Sequence, residues 1–208
     1  MSSNPMSDPI LLTQELVRLN TVNPPGNEDI ACDLLEKILL EAGFECERVS
    51  FAPQRTSLIA RIVGSDKTRL PICFTGHMDV VPLGTREWVQ EPFNATIIDG
   101  KLYGRGSSDM KSGLAAFVVA ATKMASITKQ GGGIRLIITA GEETGCEGAF
   151  HLVAQKSVLD FIGPVGCLVV AEPTANEPLI GHKGALWLRA HAEGVTAHGS
   201  ICLLYTSP

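Results

Sequence analysis

The sequence predicts an α/β fold, a mixed and mostly parallel sheet layered between helices. Three observations predict it. Apolar runs of strand length (58–63, 70–74, 134–139 and 168–171) alternate with segments of helical periodicity. The run Ile134 to Thr139 is almost continuously apolar, the pattern of a strand covered on both faces. The 208 residues are 45% hydrophobic and only 19% charged, enough to bury a sizeable core. The mean hydropathy of +0.18 places further surface at a domain or subunit contact.

Taken in order, Ser7-Asp8-Pro9 is a helix start, a capping residue followed by proline in the first turn. Leu11, Leu12, Leu16 and Leu19 then recur at helical spacing. Asn23-Pro24-Pro25-Gly26 breaks that helix, and Asn27 can cap the next. Ile30, Leu34, Leu35, Ile38 and Leu39 give the second helix one apolar face, closed by Gly43. Strands follow at 44–49, 58–63 and 70–74. From Pro82 to Gly104 the chain is rich in loops, with a short strand at 96–98 before the hairpin signal Asp99-Gly100. A helix over 112–126 presents Leu114, Phe117, Val118, Ala121 and Met124 as its core face. Gly131-Gly132-Gly133 links it to the strand 134–139. A helix begins near Glu147, and 168–171 is a further buried strand. The pattern changes near Leu179, so 1–179 is expected to form one domain and 180–200 to begin a second, with a strand at 185–192.

Bulk chemistry narrows the function. The net charge of −5 and the lack of a basic stripe argue against nucleic acid as partner. Six cysteines (Cys32, Cys46, Cys73, Cys146, Cys167 and Cys202) are scattered in apolar contexts without a C-x-x-C pair, and are read as buried free thiols in a reducing compartment. Residues 1–9 show neither a basic nor an apolar leader segment, and no apolar run approaches the roughly 20 residues of a membrane span. A cytoplasmic protein with no membrane partner is expected.

The chemistry concentrates at a few positions. Thr75-Gly76-His77-Met78-Asp79 ends an apolar strand, and side chains two apart on a strand can point the same way. A histidine beside a carboxylate is a common pairing of metal ligand and orienting partner. Asp109, the adjacent pair Glu142 and Glu143, and Glu172 add carboxylates, most of them at or just beyond the carboxyl ends of predicted strands. That edge is where ligands bind in open α/β sheets. One histidine with several carboxylates suits zinc or cobalt better than calcium. A carboxylate shared between two ions about 3.5–4 Å apart would make a two-metal hydrolase site. Other readings stand beside these: Asp109 as a helix N-cap, Glu142-Glu143 as a solvated helix start, Glu172 as a turn before Pro173.

Thr75 to Asp79, then Gly104-Arg105-Gly106-Ser107-Ser108-Asp109-Met110-Lys111-Ser112-Gly113, Glu142-Glu143-Thr144-Gly145 and Ala171-Glu172-Pro173-Thr174 resemble the successive signatures of the M20 metallopeptidase family. The likeness is to its acetylornithine deacetylase and succinyl-diaminopimelate desuccinylase branch, which the Asn23 to Gly26 loop also resembles. It implies a zinc-exopeptidase-like catalytic domain followed by an α+β lid and dimerisation domain. The implied reaction is hydrolysis of the amide bond of an N-acyl amino acid in amino-acid biosynthesis, with two Zn2+ ions, or Co2+, per subunit. His77, Asp109 and Glu172 would hold the first ion, and Asp109 would be shared with a second ion held by Glu143. Asp79 would orient His77, and Glu142 would be the general base. His198, within Thr196-Ala197-His198-Gly199-Ser200, would offer its ring to the substrate carbonyl from the lid, across a homodimer interface. Dipeptidase or carboxypeptidase activity on short peptides is the alternative within the family. A catalytically silent binding protein on the same scaffold is the alternative outside it.

The resemblance also implies departures. Family chains are about twice as long, and the second metal's histidine lies in the returning half of the catalytic domain. His151, His182 and His191 do not take its place. Residues 201–208 depart from the family pattern and read as a non-family tail. As a 208-residue chain the protein is therefore expected to have little activity.

Overall fold

The structure is a computed structural model that describes residues 7–181 and residue 184. A first compact unit runs to Ala175 and contains every element described below.

Helix α1 (Pro9–Arg18) starts as predicted: the Asp8 carboxylate accepts from the N–H groups of Ile10 and Leu11, with Pro9 in the first turn. Its inward face is Leu12, Thr13, Leu16 and Val17. Helix α2 (Asp29–Glu41) buries Ala31, Cys32, Leu35, Ile38 and Leu39. Its N-cap residue is Glu28 rather than Asn27, and no side chain caps it. The Glu28 carboxylate is held elsewhere, by Arg55 at 2.8 Å and by the N–H of Gly141 at 3.0 Å.

Among the described residues five strands form one sheet in the order β1-β2-β6-β3-β7, where β1 is Glu45–Ala52, β2 Arg55–Val63, β3 Ile72–His77, β6 Gly133–Thr139 and β7 Cys167–Val170. The β1/β2 and β2/β6 pairs are antiparallel, whereas β3/β6 and β3/β7 are parallel. The sheet is mixed as predicted, but its pairings divide evenly instead of being mostly parallel, because β1 and β2 form a hairpin on one flank. A separate two-stranded ribbon joins β4 (Thr96–Ile98) to β5 (Lys101–Tyr103). Asp99 and Gly100 both take positive φ at its turn, as a tight hairpin requires.

Strand alternation sorts the core into two layers. Leu58, Ala60, Ile62, Ile134, Leu136 and Ile138 face one side and pack with α1, α2 and α3 (Lys111–Gln130). Val49 and Ile59 face the other side, with Ile137 beside them, and meet Leu152, Val158 and Ile162 of α4 (Glu147–Val153) and α5 (Lys156–Ile162). Helix α5 carries no signal that the sequence reading used. Arg135 is the polar exception in β6; its guanidinium is buried and donates to the carbonyls of Ile162, Ile62 and Ile134.

Three further expectations are corrected. Met124 is 44% exposed, because Ala121 is the last buried residue of α3 and beyond it the helix meets the core through Ala125 while running on to Gln130. Among the described residues strand β7 is exposed along its length, because it is the outermost strand and none of its residues joins either apolar cluster. Cys167 on that strand is exposed as well and Cys46 and Cys146 are half-buried, whereas Cys32 and Cys73 are the buried free thiols predicted; Cys202 lies outside the described residues. Among the described residues no helix is long and apolar enough to cross a membrane.

Candidate metal centre

The sheet brings the candidate residues to one edge. β3 ends at His77, which pairs in register with Thr139 at the end of β6, so Gly141 to Glu143 emerge beside it. On its other side β3 pairs with β7 as far as Thr75↔Val170, which puts Glu172 at the same edge. Asp109 arrives from a third direction, just before α3. Met110 is the α3 N-cap residue and no side-chain bond caps the helix, so the Asp109 carboxylate is not spent as a cap. Close packing seats α3 here: a Cβ on Gly76 would lie 2.5 Å from the Met110 methyl, and the Met110 sulfur accepts the His77 N–H.

His77 is the centre of the cluster, and its side chain is 2% exposed. Its Nε2 lies 3.3 Å from Asp109 Oδ1, 3.7 Å from Glu172 Oε1 and 3.9 Å from Glu142 Oε2. Two sets have ligand atoms within 4.8 Å of one another: His77, Asp109 and Glu172, and His77, Glu142 and Glu143. A tetrahedral ion with bonds of about 2.0–2.1 Å holds its ligand atoms about 3.3 Å apart. The first set is close to that spacing, and one imidazole with two carboxylates is a donor set for a borderline divalent cation. The residues therefore fit a metal ion.

The other ring nitrogen fixes the tautomer. Nδ1 is 2.9 Å from the backbone carbonyl of Asp79, which can only accept, so Nδ1 carries the hydrogen and Nε2 faces the carboxylates. The sequence reading has Asp79 orient His77. Here the carbonyl makes the close contact, and the carboxylate lies 3.6 Å from Nδ1. That carboxylate is bound instead to the N–H of Glu142 (3.0 Å), the N–H of Glu143 (3.0 Å) and the Asn23 side-chain amide (2.8 Å).

The charges respond to this crowding. Burial works against a charged His77, but hydrogen bonding to Asp79 and the charges of Asp79, Glu172 and Glu142 override it and push the ring up to about 9. Burial would raise Asp79, but the adjacent His77 ring, the Asn23 amide and the two backbone N–H groups hold it at about 2. Burial drives Glu143 up to about 7; His77 opposes this, and the charges of Asp109, Glu142 and Asp79 add to it. Glu172 is raised too, chiefly by burial. A cluster that draws a proton onto Nε2 and leaves carboxylates short of compensation is one that a dication would satisfy. The Asp109, Glu142 and Glu172 side chains are 57%, 38% and 37% exposed, so the cluster opens to solvent.

The structure thus brings together His77, Asp79, Asp109, Glu142, Glu143 and Glu172. His198, with His182 and His191, lies outside the described residues. Sequence reading missed four side chains around the cluster: Asn23, Glu28, Lys111 and Cys146. Lys111 is fully buried and donates to the carbonyls of Leu16 and Leu19 at the end of α1. Cys146 lies with its sulfur 3.6 Å from Glu142 Oε1. Each stands in a segment rich in turn residues, where no periodicity marks which partners its side chain will meet. The cluster lines neither of two cavities of about 350 and about 460 Å3.

Comparison with known proteins agrees with this geometry. A succinyl-diaminopimelate desuccinylase 2 of Ruegeria sp. (strain TM1040) is 38% identical over 199 residues, covering 92% of this chain and 49% of its own. A succinyl-diaminopimelate desuccinylase of Cereibacter sphaeroides (strain KD131 / KCTC 12085) is 41% identical over 204 residues, covering 93% and 51%. The chain spans about half the length of the curated relatives it matches. Among solved structures, human carnosine dipeptidase 1 superposes with a TM-score of 0.64 at 26% identity, over 79% of this chain and 38% of that one. Residues 73–199, well over half of the sequence and including every ligand candidate, match the peptidase family M20/M25/M40, and the chain belongs to that family.

Proposed function

We propose that this chain carries the metal-binding half of a hydrolase that cleaves the amide bond of an N-acyl amino acid, of the desuccinylase or deacetylase type. The observation that carries this reading is the convergence of Asp109, Glu172 and Glu142 on the single Nε2 of His77 within 3.9 Å. The relatives at 38% and 41% identity favour the acyl amino acid over the dipeptide, the substrate class named for the structure at 26%.

In this reading His77, Asp109 and Glu172 hold one ion, and Glu143, with Asp109 shared, contributes to a second. Zn2+ is the expected ion and Co2+ a working substitute, given the imidazole and carboxylate donors. Bound there, a divalent ion would supply Lewis-acid polarisation of the acyl carbonyl and a more acidic water. Glu142, whose Oε2 faces His77 while Oε1 faces the Cys146 thiol, takes a proton from the attacking water and returns it to the leaving amine nitrogen. Asp79 keeps the Glu142-Glu143 turn in place through two backbone N–H groups. His198 serves the substrate carbonyl from a second domain that begins near residue 180, in a cytoplasmic homodimer.

The test is Glu142→Gln, in a chain completed with the second half of a desuccinylase relative. Hydrolysis of N-succinyl and N-acetyl amino acids should fall about 10²- to 10⁴-fold while metal content is kept. Near-normal turnover with metal still bound would sink the role given to Glu142. Faster cleavage of dipeptides than of acyl amino acids by the parent chain would move the substrate assignment to the dipeptidase reading.

A further inference from the structure

The Asn23-Pro24-Pro25-Gly26 segment reads in sequence as a helix breaker whose loop resembles the desuccinylase branch, with no role for its side chains. In the fold it reaches the metal centre. Between α1 and α2 the chain runs alongside the residues after β3, where Val22 and Val80 form a parallel bridge. Thr21 Oγ1 donates to the Met78 carbonyl at 2.6 Å, the Val80 N–H to Thr21, and the Asn23 N–H to Val80 at 2.8 Å. The segment is thereby fixed to the strand end that carries His77. Asn23, itself 2% exposed, then uses its side-chain nitrogen twice: toward Asp79 Oδ2 at 2.8 Å and toward Thr144 Oγ1 at 2.9 Å. The first partner belongs to the β3 end and the second to the turn that carries Glu142 and Glu143.

We infer that Asn23 is a positioning residue for the metal centre, tying the His77 strand end to the Glu142-Glu143 turn through Asp79 and Thr144. The role depends on direction. Asp79 Oδ2 receives both the Glu143 N–H and the Asn23 amide, so the two donors together set the plane of that carboxylate. Its other oxygen receives the Glu142 N–H. A carboxylate held by three donors cannot rotate without releasing the turn, and releasing the turn separates Glu142 and Glu143 from His77. An apolar side chain of the same size would fill the space but hold neither partner. The inference rests on the functional reading above for the identity of the ligands, while the brace itself is visible in the contacts alone.

The experiment uses the 208-residue chain, with Co2+ as the probe, and compares wild type with Asn23→Leu. Partners that orient metal ligands typically contribute about 10- to 100-fold in metal affinity, and Co2+ binding should weaken by that factor in the variant. Hydrogen exchange at the Glu142 and Glu143 amides should quicken about tenfold or more, with amides of β2 and β6 unchanged, because the opening is local. Equal Co2+ affinity and equal exchange in a folded Asn23→Leu chain would overturn the inference. A general loss of protection across the sheet would also overturn it, by making Asn23 a residue of the fold at large. Should that variant not fold, Thr144→Val removes one of the two acceptors together with the Thr144 bond to Glu147, and Glu147→Gln controls for the latter. Weaker Co2+ binding with faster exchange at Glu142 and Glu143 then supports the brace, and no change in either overturns it. A wild-type chain that binds no Co2+ overturns the functional reading instead, and the exchange comparison still decides the role of Asn23.

Discussion

Buried polar residues decide how this site is held, and Glu28 shows the balance at the residue scale. Its carboxylate has no solvent exposure, accepts twice from Arg55 Nε and receives the Gly141 N–H. Burial nevertheless outweighs the Arg55 pairing and raises the group above its ordinary 4.5. A carboxylate raised in the fold contributes stability that is full below its unfolded value and is lost as pH climbs through the folded one. Glutamine does not ionise, so wild type should lose ground to Glu28→Gln as pH rises from the ordinary carboxylate range through the raised value of Glu28. Urea midpoints for both chains across that range check this, and a wild type that gains on the variant would show that the ion pair dominates. Neither Glu28 nor Asn23 was legible as a buried residue, since each stands among turn residues and finds its partners 27 to 121 positions away. His77, Asp109, Glu142, Glu143 and Glu172 were legible because each sits in a short motif whose residue types suit one chemistry.

At the scale of elements, strands and helices with strong periodicity were read correctly, and errors lie where exposure depends on neighbours. The pattern that marks β7 as a strand is intact, but burial of its side chains requires something on each face, which a short apolar run does not encode. Met124 sits at the correct helical spacing on α3 and is exposed because the last buried residue of that helix, Ala121, lies about a turn earlier. Helix α4 shows packing that composition conceals. A Cβ on Gly148 would lie 2.2 Å from the Ala140 carbonyl oxygen and 2.8 Å from Ser57 Oγ. Gly148→Ala should gain up to about 1 kcal/mol of helix propensity and lose about 1–3 kcal/mol to overpacking against backbone. Net destabilisation is the outcome expected from denaturant unfolding; a more stable Gly148→Ala chain would mean that α4 can move away from β6.

At the scale of the whole molecule, the proposed metal site would make folding and metal binding one equilibrium, because the candidate ligands come from the end of β3, the approach to α3, and the segments after β6 and β7. A ligand that binds only the folded state adds about 2.7 kcal/mol at a hundred times its dissociation constant. For a chain of this size, 1 kcal/mol is about 2–4 °C, so Co2+ at that excess should raise the thermal midpoint by about 5–11 °C, and EDTA should reverse it. An unchanged midpoint would count against the cluster as a metal site. The parallel alignment of β3 with β6 carries a last implication. His77 lies opposite Thr139, and side-chain direction alternates along a strand. A slip of one position would turn the imidazole to the opposite side of the sheet and offer the Met78 thioether in its place. At the proposed site, capture of a cation would therefore report that these two strands have paired in this register. Metal uptake during refolding would count the molecules that found the right alignment, a quantity that helix content alone does not report.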